Sequence, residues 1–236
     1  MTPSHFDNET LASETMARTG APARIYLQPI AAPSILGLFG FAGAMFMVAA
    51  NMAGWYGGTN SMYSLMPFFV MFGGIAQFLA GMWAFKARDG VATAMHGVWG
   101  SFWVAFGVLS WLMLTGRIPN PGIVFPELGY WFIVLAAITW MCMLAAFATN
   151  VSLVWVLGTL AAGSTLEAIA RLAGNEACQI AAGYLFIISA IVAWYTASAL
   201  MFEEAFGHPI LKAGRRRSEQ RSITAGTGEP GVIRGQ

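Results

Sequence analysis

Charge is missing from most of this chain, and its absence is concentrated in long stretches. No Asp, Glu, Lys or Arg occurs from Ala31 to Phe85, from 128 to 166, or from 177 to 202. About 20 apolar residues suffice to cross the hydrocarbon core of a bilayer as a helix. Only 10% of the residues are charged and 57% are hydrophobic, whereas soluble domains carry roughly 25% charged residues. The chain therefore reads as an all-α membrane protein. Water-soluble classes, nucleic-acid binders among them, are excluded.

Breakers divide the apolar stretches into six helices, expected at about 33–55, 62–85, 91–115, 127–148, 151–172 and 180–202. Pro33-Ser34 opens the first, and Gly57-Gly58-Thr59-Asn60 turns the chain after it. Lys86-Ala87-Arg88-Asp89-Gly90 and Arg117-Ile118-Pro119-Asn120-Pro121-Gly122 make the next two breaks. The charge-free run from Leu128 to Leu166 is 39 residues long, too long for one untilted helix, so Thr149-Asn150 is taken as a turn. The domain spans 31–212. Residues 1–30 lack the apolar core of a secretory signal and read as a disordered cytoplasmic tail, and 213–236 as a disordered basic one.

Parity tests the count. With six crossings, one side of the membrane holds both tails and the 86–90 and 149–150 turns, and it carries 10 of the 12 basic residues. Arg117 and Arg171 fall on the other. Cytoplasmic segments carry the Lys/Arg excess, so both termini are expected in the cytoplasm and the protein in the cytoplasmic membrane. The Arg215-Arg216-Arg217 cluster suits anionic lipid headgroups.

Few ionisable groups remain at depth, where they are costly and mark function. No Lys lies in a helix, which excludes a retinal Schiff base. Glu167 and Arg171 stand four apart on one helix face, either as an interfacial ion pair or as the lining of an outer vestibule. His96 is either a packed, hydrogen-bonded residue or a proton-linked one, and no metal-ligand spacing surrounds it. Cys142 and Cys178 lie in or near apolar segments and suggest no disulfide framework. Glu203-Glu204 places two carboxylates at the inner end of the sixth helix. No enzyme chemistry, metal or cofactor is expected. Gln77, Asn51 and Asn175 each need a hydrogen-bond partner in or near the bilayer, either on another helix or in a conduit. Gly37, Gly40, Gly43, Ala76, Ala80, Gly81, Gly97 and Gly100 are spaced for close helix packing.

Four segments carry a family likeness: 32–41 (APSILGLFGF), 72–81 (FGGIAQFLAG), 100–103 (GSFW) and 193–199 (AWYTASA). Through them, over roughly 28–212, the chain resembles the acetate uptake transporters, or succinate–acetate permeases. The family's Asn-Pro-Ala-Pro-Leu-Gly-Leu signature has Ala32 for its Asn and Ile35 for its second Pro. The resemblance implies a homohexamer of six-helix protomers, each with its own conduit narrowed by a Phe, a Tyr and a Leu. Matched by motif, these are Phe41, Trp99 (in place of Tyr) and Leu160. Each lies eight to nine residues from the start of its helix, roughly 12–14 Å deep and near the midplane of a core about 30 Å thick.

Such a ring forces an anion to shed water, and a short monocarboxylate offers it a methyl group. Gln77, Ser101 and Thr159 are the candidate carboxylate donors beside it. With no acid or base at mid-membrane, the expectation is channel-like passage of acetate and related small monocarboxylates, succinate included by resemblance. The alternatives are proton-coupled symport through His96, and a membrane sensor or scaffold. The expected partners are the carboxylate, the lipid bilayer and further copies of the chain.

Overall fold

A computed structural model describes residues 30–58 and 60–214. The expected tails over 1–29 and 215–236, with the Arg215-Arg216-Arg217 cluster, lie outside the described residues. The described residues form six membrane-length apolar helices: α1 (Pro33–Met52), α2 (Ser61–Ala87), α3 (Gly90–Leu114), α4 (Pro126–Ala146), α5 (Val151–Ala173) and α6 (Glu176–Phe206). Each packs on its sequence neighbours, most thinly between α3 and α4, and α6 closes back onto α1. Six crossings put the start of α1 and the end of α6 at one end of the bundle, here called the tail side.

Local chemistry sets the ends. Pro33 stands in the first turn of α1, where its missing N–H costs nothing. Asp89, Asn150 and Asn175 cap α3, α5 and α6, their side chains accepting from the backbone N–H of Ala92, Leu153 and Cys178. Gly174 and Gly207 take left-handed conformations, with φ of 67° and 72°, and end α5 and α6. Asn175 thus sets the start of α6 four residues before the expected one. Glu203 and Glu204 continue the same helix, which is 31 residues long and so roughly 46 Å, longer than the hydrocarbon is thick.

Two features escaped the sequence pattern. Within α2, Phe69–Ala76 is a π-helix, following Pro67. Its wide turn brings Gly73 against Ala44 and Trp103, and Gly74 against Val104. Beyond α6, the chain returns to the start of α5. Val151 and Ser152 donate their N–H groups to the carbonyls of Gly214 and Ala213, and the Tyr195 hydroxyl donates to that of Lys212. Ala213 and Gly214, assigned from sequence to the disordered tail, therefore belong to the folded part.

The small residues do not act alike. A methyl on Gly100 would stand 2.7 Å from the backbone N of Phe78, and one on Gly81 2.7 Å from that of Gly97. At these points α2 and α3 touch backbone to backbone. Gly43 is exposed, and its Cβ would meet nothing within 4 Å. Large apolar side chains such as Trp83, Phe85, Tyr130, Trp155 and Trp194 also face outward, as a lipid-facing surface requires. Gly100→Ala should destabilise the fold by about 1–3 kcal/mol, and Gly43→Ala by no more than about 0.5 kcal/mol. Thermal melting of the purified protein in detergent distinguishes the two.

Candidate functional site

Two cavities lie inside the ring of helices among the described residues. The first, of about 240 Å³, opens on the tail side, among Pro33, Asp89, Thr149 and Asn150. The second, of about 220 Å³, opens at the far end, among Asn51, Met62, Arg171 and Gln179. Trp99 is the residue common to both linings. On α1 the lining passes from Phe41 in the first cavity to Met45 in the second. On α5 it passes from Leu160 to Glu167.

Phe41, Trp99 and Leu160 are at most 2% exposed and share one apolar core. The Phe41 ring meets Trp99 edge-on, with centroids 6.3 Å apart. Trp99 Nε1 donates to Thr139 Oγ1 at 3.2 Å, and the Thr139 hydroxyl donates in turn to the Leu135 carbonyl at 2.6 Å. The indole is therefore fixed from behind by α4, and the donor that Trp99 supplies is spent there. Thr139 gave no signal in the sequence.

Four buried side-chain polar atoms have no protein partner among the described residues: Gln77 Oε1, His96 Nδ1, Trp103 Nε1 and Glu167 Oε2. Their residues line the cavities, Gln77 and His96 the first and Trp103 and Glu167 the second, while the four atoms themselves are buried. Buried polar groups are otherwise almost always satisfied, so their grouping marks the cavities as polar-capable. His96 lies against Gly37, where an added methyl would stand 2.5 Å from its ring. The glycine is what admits the imidazole.

Two expected donors stand outside the cavity linings. Ser101 is exposed and donates to the Gly97 carbonyl at 2.8 Å. Thr159 donates to the Trp155 and Val156 carbonyls at 2.8 and 3.2 Å. Neither lines either of these two cavities. Each residue turns a helix by about 100°, so Ser101 points away from the face that carries Trp99, and Thr159 is rotated off that of Leu160. Mid-helix hydroxyls then bond to the carbonyl one turn back.

Glu167 and Arg171 turn out to be both an ion pair and a cavity lining. Arg171 Nε donates to Glu167 Oε1 at 2.6 Å, and both line the second cavity. Asn51 lines it too, with its Nδ2 donating to the Tyr56 carbonyl at 3.0 Å. Asn175 is spent as the cap of α6.

Residues 16–210 match the model of the GPR1/FUN34/yaaH family. The chain belongs to that family. Members similar to it include the succinate-acetate/proton symporter SatP of Escherichia coli, 28% identical over 78% of this chain and 96% of that protein. The acetate transporter protein patA of Aspergillus clavatus is 26% identical over 78% and 79% of the two chains. The Ammonia transport outward protein 2 of Saccharomyces cerevisiae is 27% identical over 76% and 64%. A solved structure of the bacterial acetate channel SatP superposes with a TM-score of 0.73 at 25% identity, covering 79% of this chain and all of that one. These GPR1/FUN34/yaaH proteins are named as transporters and channels, not enzymes.

The Trp99 anchor has a measurable consequence. Thr139→Val keeps the side chain's shape but leaves a buried indole N–H unpaired, at a cost of about 1–3 kcal/mol. A lowered melting temperature in Thr139→Val, with Ser101→Ala near the wild type, is the expected result.

Proposed function

We propose that this protein is a channel-like pore for acetate and related short monocarboxylates, running through each protomer and narrowed by Phe41, Trp99 and Leu160. The observation that carries this reading is the end-to-end placement of two cavities divided at Trp99. A carboxylate entering either cavity meets a lining that includes polar residues, Gln77 and His96 on one side and Asn51 and Arg171 on the other, then an apolar step at mid-depth. The Gln77 amide can donate to it just below the ring, in place of part of its water shell. At the ring the methyl end of acetate is accepted, whereas a small well-hydrated anion gains nothing for the water it loses. The names of the bacterial and fungal relatives support the substrate class.

The finer parts of the reading are a location in the cytoplasmic membrane, both tails in the cytoplasm, and a homohexameric assembly. The first two are supported by the uneven distribution of basic residues, the third by the family likeness. Proteoliposomes containing this protein alone should carry acetate down its gradient. Absence of flux from assembled protein would favour a sensor or scaffold. Leu160→Ala should open the narrowest point and lower the acetate-to-lactate flux ratio by roughly tenfold, as one changed contact in an apolar pocket can. An unchanged ratio in both Leu160→Ala and Phe41→Ala would place the constriction elsewhere.

Proton-coupled symport is favoured by one observation, the unpartnered His96 Nδ1 on the first cavity. In the channel reading His96→Ala retains most acetate flux and its pH dependence, any proton that accompanies acetate being carried by the substrate. Lost flux in a folded, assembled His96→Ala protein would establish the symporter instead.

A further inference from the structure

The far-side cavity holds an ion pair for which the pore reading has no use. Among its lining residues Glu167 and Arg171 alone carry charge. Glu167 is 1% exposed, and only one of its carboxylate oxygens is engaged, Oε1 by Arg171 Nε. The Arg171 side chain is 17% exposed. Its Nη1 donates to the Gly122 carbonyl at 3.3 Å, and its own carbonyl accepts from Phe125 N at 3.0 Å, so α5 and the 118–125 connection fix its position. A guanidinium has five N–H donors, and these contacts engage two of them. A third polar atom, the buried Trp103 Nε1, lines the same space without a partner.

We propose that Arg171 and Glu167 form an entry filter for monoanions at the far mouth of the pore, a proposal that rests on the carboxylate reading above. Arg171 draws a carboxylate in with the donors that Glu167 and Gly122 leave over. Glu167 does two things. By occupying Nε it denies the ligand one edge of the guanidinium and keeps the grip weak enough for release, which conduction requires. Its second oxygen, buried without a partner beside the cavity of about 220 Å³, repels further negative charge through space. A monocarboxylate can meet Arg171 with its charged end and turn its apolar end inward. A dicarboxylate brings its second charge within reach of Glu167.

The test uses the full-length protein in proteoliposomes, with flux of acetate and of succinate normalised to assembled protein. Glu167→Gln keeps an oxygen for Arg171 Nε and removes the negative charge. It should lower the half-saturating acetate concentration and raise succinate flux relative to acetate, each about tenfold, the scale of one contact to a charged group. Arg171→Gln should raise the half-saturating acetate concentration by a similar factor. Because that variant strands a buried carboxylate, Glu167→Gln/Arg171→Gln is measured beside it. The double variant should assemble like the wild type yet keep the weakened acetate saturation. If the double variant saturates as the wild type does, or Glu167→Gln leaves the succinate-to-acetate ratio unchanged, the pair is only a structural brace and the filter is wrong. A wild-type protein that carries no carboxylate fails earlier, at the pore reading itself.

Discussion

Everything at the centre of this bundle depends on how Trp99 is seated. An indole at mid-depth in a helical ring would ordinarily bring its N–H to whatever polar group passes. Here the N–H is tied to Thr139 on α4, and Thr139 is itself tied to its own helix. The ring is thereby held edge-on against Phe41, and its apolar face is what remains to divide the two cavities. The hydrogen bond thus acts as a hinge pin that sets the orientation of a large apolar surface. A tyrosine in this place, as the family resemblance implies for other members, would carry its polar group at the tip of the ring. The tryptophan carries it at the side, where a neighbouring helix can take it out of the conduit.

Glycines make room for this arrangement. Gly37 admits the His96 imidazole one turn from Trp99, and a methyl on Gly40 would stand 2.5 Å from the Phe72 carbonyl in the π-helical part of α2. With α1, α2 and α3 drawn this close, the large side chains of Phe41 and Trp99 can meet inside the ring. The wide π-turn ends at Gln77 and brings it onto the first cavity, in keeping with the tendency of such turns to occur at functional positions.

The sequence made legible whatever depends on charge and spacing. Missing charges located the spans, and the breaks expected at 86–90 and 149–150 fall between helices. The number of residues from each helix start put Phe41, Trp99 and Leu160 at one depth, and the structure brings those three residues into one core. What the sequence could not supply is rotation about a helix axis. An all-apolar helix has no polar face to orient it, so Ser101 and Thr159 looked as eligible as Gln77. The π-turn was hidden for a related reason: Pro67, Gly73 and Gly74 permit a local change of winding without dictating one. Thr139 was invisible because its importance lies in a contact 40 residues distant along the chain.

The two cavities differ in kind, and the difference follows from solvation. The tail-side cavity offers Gln77 and His96 close to the apolar step, the first an amide and the second an imidazole. The far cavity offers an ion pair nearer its mouth. Lone charges are costly at depth and much less so where water reaches them. A pore that must attract anions from one side and still release them does well to keep its charge near the opening, opposed by a counter-charge, and to use uncharged donors further in. Arg171 alone would hold a carboxylate too firmly, and Glu167 alone would repel it. The pair presents a local dipole with little net charge, with donors left over on one partner and an unpaired oxygen on the other. In the pore reading, discrimination is therefore divided in space: the far mouth sorts by charge number, and the ring at Trp99 sorts by size and hydration.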